Sequence, residues 1–135
     1  MRISDKYRYL GIKLTPQRLA ILSYLDGNRS HPSAEDIYRS VRKEFPTMSV
    51  STVYNTLDVL KEKGDVQELT IDPRKKRYGP VNTPHNHLMC NKCRHIVDIN
   101  KEFKFTLPSS MTEGFELTGN HVEFFGFCSN CRKKQ

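Results

Sequence analysis

The sequence predicts an α+β chain made of two small modules: three helices closed by a two-stranded hairpin, then a mostly β module of short strands. Three observations predict this. Apolar residues recur at helical spacing up to Leu60 and alternate afterwards. Start and stop residues bracket each helical stretch. All four cysteines and four of the five histidines fall beyond residue 84, so the later part has a chemistry of its own. At 135 residues the chain suits one ordinary domain or two very small ones. The boundaries read as 1–82 and 83–135, with Val81-Asn82-Thr83-Pro84 as the linker.

A short amphipathic stretch over residues 4–10 precedes the first main helix. That helix opens at Thr15-Pro16, a capping hydroxyl followed by proline at the first helical position, and stops at Gly27-Asn28. Ser33-Ala34-Glu35-Asp36 has the form of a capping box, and Ala34, Ile37, Tyr38, Val41 and Phe45 follow it on one face until Pro46. Ser49 opens the third helix, whose stripe is Val50, Val53, Tyr54, Leu57 and Leu60; Gly64 stops it. Residues 66–71 then read as a strand, Asp72-Pro73-Arg74 as a turn and residues 75–78 as a basic returning strand. Three helices and a hairpin make a winged helix-turn-helix pattern. Beyond the linker, strands are expected at 87–90, 95–99, 115–118 and 122–127, with a helical turn near 109–113.

Formal net charge is +7, of which +5 falls in residues 1–80 and +2 in the remainder. That balance suits a polyanionic partner such as nucleic acid, or a surface kept basic for solubility. No segment approaches the roughly 18 apolar residues of a membrane span, and the first residues lack the apolar stretch of a signal peptide. The expected location is the cytoplasm, where reducing conditions favour cysteines as metal ligands over disulfides.

Cys90-Asn91-Lys92-Cys93 and Cys128-Ser129-Asn130-Cys131 are two C-x-x-C pairs with 34 residues between them. Each pair places two thiolates on one side of a tight turn, and two such turns surround a tetrahedral ion, the arrangement that zinc prefers. A redox dithiol needs one such pair, not two in one small module. Structural zinc on Cys90, Cys93, Cys128 and Cys131 is therefore expected, supplying folding energy that a small core lacks.

His85 and His87 are two apart, hence on one side of an extended chain. Asp98 on the next expected strand offers an oxygen. His31, far off in sequence, is either a fourth donor or an ordinary surface histidine; as a donor it would make the ion a bridge between the modules. Nitrogen and oxygen donors together suit iron(II), manganese(II) or zinc. His121 and Glu123 serve either a further ion or a plain alternating strand, and His95 reads as surface.

Taken together, the chain resembles the ferric uptake regulator family and, within it, the peroxide-sensing repressors. The resemblance rests on Leu14-Thr15-Pro16-Gln17-Arg18, on His31-Pro32-Ser33-Ala34-Glu35-Asp36-Ile37-Tyr38, on residues 49–57, on His85-x-His87-x-x-Cys90-x-x-Cys93 and on Cys128-x-x-Cys131. It implies a homodimer whose second module, residues 83–135, is a small α/β metal-binding dimerisation domain. It implies zinc on the four cysteines and a regulatory iron(II) or manganese(II), or zinc, on His31, His85, His87 and Asp98. It further implies repression through double-stranded DNA bearing an inverted repeat. In the peroxide-sensing subgroup, bound iron(II) reacts with hydrogen peroxide, a ligating histidine is oxidised and the DNA is released; His31 and His85 occupy the oxidised positions. An iron- or zinc-sensing uptake regulator of the same family lacks that chemistry. Two residues depart from the pattern. Gly79 stands where the family carries an acidic ligand, so the site loses an oxygen unless water, Asn82 or another acid replaces it. Asn120 stands where a histidine is common, which counts against His121 as a ligand.

The expected recognition helix carries Ser49, Ser51, Thr52, Tyr54, Asn55 and Thr56, and no arginine to grip guanine. An A·T-rich operator read partly by shape follows. The resemblance makes Tyr54 the leading base contact, although its place on the apolar stripe also fits a core aromatic. Lys13 and Arg18 are candidate phosphate contacts. Arg74, Lys75, Lys76 and Arg77 either grip the DNA backbone or form a solvated charge run. Two readings of other classes stand beside the repressor. A metalloenzyme on His85, His87 and Asp98 would need a substrate pocket and a general base that no motif supplies, so the chain is read as no enzyme. A zinc-stabilised protein-interaction module would use the helix-turn-helix as a docking face.

Overall fold

The computed structural model describes residues 2–81 and 84–133. They belong to two compact units, Met1–Val81 and Asn82–Gln135. Asn82, named above both as linker and as a substitute ligand, lies with Thr83 outside the described residues.

The first unit runs α1 (Ile3–Lys6), a 3-10 turn (Arg8–Leu10), α2 (Pro16–Leu25), α3 (Ala34–Val41), α4 (Val50–Glu62), β1 (Gln67–Leu69) and β2 (Arg77–Gly79). Helices α2 and α3 begin where side chains satisfy the first free amides. Thr15 Oγ1 accepts from the Arg18 N–H at 3.3 Å. Ser33 and Asp36 close a full capping box, at 3.1 Å from the Asp36 N–H to Ser33 Oγ and 3.0 Å from the Ser33 N–H to Asp36 Oδ2. Ile21, Leu22, Ile37, Val53 and Leu57 are sealed at the centre of these helices, with Leu60, Val66 and Tyr78 beside them. Two expectations need correction. Helix α3 stops at Val41, and residues 42–44 form turns before Phe45 and Pro46. On α4 the buried stripe is Val53, Thr56, Leu57 and Leu60, while Val50 and Tyr54 are exposed. At about 100° per residue those two fall on the flank of the stripe.

The hairpin is shorter than the sequence suggests. Gln67, Glu68 and Leu69 pair with Gly79, Tyr78 and Arg77, and Lys75 and Lys76 lie in the connection. Arg77 is turned inward. Its Nη1 lies 3.2 Å from Asp72 Oδ2, and its Nε donates to the His31 carbonyl. The expected outward grip of Arg77 on a phosphate is thereby corrected: the side chain is buried because Asp72, wholly enclosed, needs a cation. Burial works against ionisation of Asp72, but the Arg74 N–H, the Arg74 charge and Arg77 outweigh it and hold the carboxyl below the usual carboxylate range. A carboxyl with a lowered folded value stabilises the fold above its unfolded value, near 3.9, and that contribution disappears as pH falls through the folded value. Arg77→Ala should therefore lower stability by about 3 kcal/mol at neutral pH. Asp72→Asn should flatten the acid limb of the pH profile, as read by thermal unfolding between neutral and strongly acidic pH. An unchanged acid limb in Asp72→Asn counts against the ion pair.

In the second unit, β3 (Asn86–Cys90) is the central strand of three. β4 (Ile96–Ile99) runs antiparallel to it, and β5 (Glu123–Gly126) parallel. The buried Asn86 amide ties the sheet together: its Nδ2 donates to the Lys101 carbonyl at 2.5 Å and its Oδ1 accepts from the Val122 N–H at 2.7 Å. A 3-10 turn at Ser109–Met111 interrupts the connection, and α5 (Ser129–Lys133), which alternation could not reveal, follows β5. The strand expected at 115–118 does not form. Both sides of β3 are already occupied, and Phe115 and Leu117 remain exposed without a ladder to join. Among the described residues the buried apolar interior is small: Met89, Ile96, Cys90 and Cys131. Among the described residues no helix is long and apolar enough to cross a membrane.

Candidate metal centres and nucleic-acid interface

The four cysteine sulfurs converge. All lie within 4.8 Å of one another, none is in a disulfide, and Cys93 Sγ is 3.8 Å from Cys128 Sγ. Zinc–sulfur bonds of about 2.3 Å in a tetrahedron require sulfur–sulfur edges of about 3.8 Å. Local backbone geometry explains the convergence. β3 ends at Cys90, and the chain turns through Arg94 at a φ of 67°. The Cys90 N–H then meets the His95 carbonyl at 2.9 Å. On the other side, Cys128 and Cys131 flank the first turn of α5, where the Cys131 N–H points at Cys128 Sγ from 3.5 Å. Cys90 Sγ accepts from the N–H groups of Cys128 at 3.4 Å and Cys93 at 3.5 Å. These donors push the Cys90 thiol down to about 5. Hydrogen bonding with Cys128, then burial, pushes Cys131 up to about 12. Four converging sulfurs of this spacing can hold a cation, and an all-sulfur set fits zinc.

His87 and Asp98 also meet. They are partners in the β3–β4 register, with His87 Nε2 3.3 Å from Asp98 Oδ1, and His87 is buried. On the other side of His87 the register partner is Glu123, a long-range pairing that alternation along the chain does not reveal. Glu123 Oε1 lies 3.4 Å from the exposed His121 Nε2. His85 is exposed, one residue before β3. One imidazole and one carboxylate side by side form a donor pair of the mixed kind that suits iron(II), manganese(II) or zinc.

His31 lies in the first unit, just before α3, buried and at a φ of 55°. A left-handed backbone at a residue other than glycine costs about 1–3 kcal/mol and survives only where its surroundings impose it. Here β2 imposes it. Arg77 Nε bonds the His31 carbonyl, and the Tyr78 N–H bonds the Pro32 carbonyl at 2.8 Å. Gly79 completes the arrangement: a Cβ there would fall 2.8 Å from His31 Cδ2 and 3.4 Å from His31 Nε2. The ring thus occupies a cradle that any side chain at Gly79 would fill.

Helix α4 presents Ser49, Ser51, Tyr54 and Asn55 outward, with Thr52 half-buried. Thr56, counted above among the polar reading groups, is buried, and its hydroxyl donates to the Thr52 carbonyl at 2.8 Å. Tyr54 is 40% exposed, which excludes the core-aromatic reading; its hydroxyl donates to Glu35 Oε1 at 3.0 Å. Lys13 is exposed, and Arg18 Nη1 donates to its carbonyl at 2.7 Å. Arg74, Lys75 and Lys76 remain at the surface, each facing an acid: Asp72 at 3.7 Å, Asp36 at 3.9 Å and Glu68 at 3.4 Å. In the second unit a row of Val97, Leu88 and Phe124, in register across the sheet, is exposed, as are Phe125 and Phe127.

Residues 9–125 match the ferric uptake regulator family. The chain is 41% identical over 128 residues to the peroxide operon regulator of Bacillus subtilis, covering 93% of this chain and 88% of that protein. It is 39% identical over 131 residues to the peroxide-responsive repressor PerR of Staphylococcus aureus, covering 94% and 87% respectively. Among solved structures, the ferric uptake regulator of Helicobacter pylori superposes with a TM-score of 0.68 at 24% identity, covering 97% of this chain and 89% of that one, a likeness of fold.

Proposed function

The chain belongs to the ferric uptake regulator family of metal-dependent transcriptional repressors, and from that premise we propose that it represses peroxide-stress genes. In this reading it works as a cytoplasmic homodimer and a binding protein, not an enzyme. Cys90, Cys93, Cys128 and Cys131 hold structural zinc. His31, His85, His87 and Asp98 hold a regulatory iron(II) or manganese(II). The single observation that carries the metal dependence is the His87–Asp98 pair, a buried imidazole set 3.3 Å from a carboxylate. When bound, the ion would supply positive charge for these donors and, as iron(II), one electron to peroxide, the histidine that gains oxygen supplying the remainder. His87 and Asp98 hold their geometry through strand register, and β2 holds His31.

DNA reading falls to Ser49, Ser51, Thr52, Tyr54 and Asn55 on α4, with Lys13 and Arg18 on phosphates. The outward polar face of α4 supports this assignment. Short side chains and the absence of arginine favour an A·T-rich inverted repeat. The exposed row of Val97, Leu88 and Phe124 supports self-association of the second unit, since apolar surface of that kind is seldom left in water.

Manganese-loaded protein should retain A·T-rich duplexes from a genomic fragment pool. A chelator that leaves the sulfur-bound zinc in place should weaken that binding by about 100-fold, near 2.7 kcal/mol. Equal retention with and without the second ion defeats the reading. Iron(II)-loaded protein given stoichiometric peroxide under anaerobic conditions should gain one oxygen on His31 or His85. Release by chelation alone, without that gain, assigns the chain to metal sensing.

A further inference from the structure

We infer that Glu35 is a positioning residue for DNA reading: it seats the Tyr54 ring on the outer face of α4 and takes up the only proton of the phenol. The inference rests on the reading of Tyr54 as a base contact and deepens it. An exposed tyrosine ring ordinarily moves among several rotamers. Here the ring is tied, because the Tyr54 hydroxyl donates to Glu35 Oε1 at 3.0 Å, across 19 residues of chain. Both ends of that bond stand on fixed backbone. Glu35 lies in the first turn of α3, inside the Ser33–Asp36 capping box and next to buried Ala34. Tyr54 directly follows buried Val53 on α4, and buried Leu57 comes three residues later.

The direction of the bond is fixed as well. The N–H of Glu35 itself, the Tyr54 hydroxyl, the Ser33 side chain and the Lys75 charge outweigh burial and hold the Glu35 carboxyl below the usual carboxylate range. A carboxylate only accepts, so the phenol proton points at it. What Tyr54 then shows to a major groove is a ring edge and an acceptor lone pair, with no donor. Adenine meets that surface with an amino group, and thymine with a methyl. Guanine meets it with two acceptors, O6 and N7, which need the proton that Glu35 holds. Glu35 thus favours A·T pairs by withholding a donor from guanine, the repulsive half of specificity.

The test uses full-length protein loaded with zinc and manganese(II). The probe is one duplex that the wild type selects from random DNA, with copies in which each A·T pair is changed singly to G·C. Glu35→Ala should weaken binding to the parent duplex about tenfold and lose discrimination against G·C at one pair in each half-site. Glu35→Gln keeps an acceptor oxygen without the charge and should retain that discrimination. The Glu35→Ala/Tyr54→Phe double variant should bind the parent no more weakly than Tyr54→Phe alone, the signature of two residues acting through one contact. In DNA-free protein the Cζ signal of Tyr54, read by carbon-13 tyrosine NMR, should move in Glu35→Ala and stay near its wild-type position in Glu35→Gln. Were Glu35 only a negative charge beside phosphates, the Ala and Gln variants would both bind every duplex more tightly. That result, full discrimination by Glu35→Ala, an additive double variant or an unmoved Cζ signal overturns the inference. A Tyr54→Ala variant that binds and discriminates like wild type overturns the reading of Tyr54 as a base contact instead, while the Cζ signal still decides whether Glu35 seats its ring.

Discussion

Removing zinc from the four sulfurs should unfold the second unit while leaving the first intact. Among the described residues, the buried apolar interior of the second unit is Met89 and Ile96 plus two of the cysteines themselves, too little apolar surface to offset the entropy of ordering some fifty residues. A structural zinc contributes about 10–16 kcal/mol at neutral pH, which decides the balance. Protons oppose it. Zinc needs four thiolates, so its binding releases the cysteine protons to solvent. Zinc should thus be held at neutral pH and lost as pH falls, because protons reclaim the sulfurs. Cys93→Ser should reproduce the loss without acid. The measurement is amide dispersion by NMR beside zinc content: peaks of residues 86–126 should collapse while those of the helices keep their positions. A dispersed second unit in zinc-free protein would refute the idea that the ion holds it folded.

His87→Ala should abolish metal-dependent DNA binding with zinc content unchanged. His87 supplies the nitrogen beside Asp98 at 3.3 Å, and loss of a direct donor exceeds the 10–100-fold cost typical of outer partners. Manganese affinity should fall on the order of 100-fold or more, and operator binding should need correspondingly more manganese. Asp98→Asn should fall in the same direction, since a neutral amide oxygen is the weaker donor. His95→Ala, at an exposed histidine outside both donor sets, should match wild type. Normal manganese titration by His87→Ala would remove His87 from the regulatory set.

Much of this architecture was readable before any coordinates, for reasons that differ by element. Helices α2 and α3 were legible because their capping groups, Thr15 and the Ser33–Asp36 box, are local in sequence and act locally in the fold. The sulfur cluster was legible because two C-x-x-C turns leave few other arrangements. Long-range geometry was not legible. Nothing in the alternation of 122–127 shows that β5 runs parallel to β3, or that Glu123 comes opposite His87. Arg77 sits in a basic run, and composition alone turns such a run outward; its inward turn depends on a buried Asp72 five residues earlier. Tyr54 keeps helical step with Val50 and Leu57, yet only the packing of α4 on α2 and α3 shows that it falls outside the core. The strand expected at 115–118 failed because alternation measures a segment's capacity to pair, not whether a neighbour exists.

The parallel pairing of β5 with β3 bears on how the protein is made. The first unit is built from neighbours in sequence and can fold while synthesis continues, since domains form in the order in which they emerge from the ribosome. The sheet of the second unit cannot be completed until residue 126 has been translated, and the sulfur tetrahedron not until Cys131 has followed. Until then Cys90 and Cys93 wait as a solitary dithiol, open to oxidants. Nascent chains should therefore be more vulnerable to oxidation than finished ones, and zinc supply at the moment of translation should set how much repressor a stressed cell can assemble.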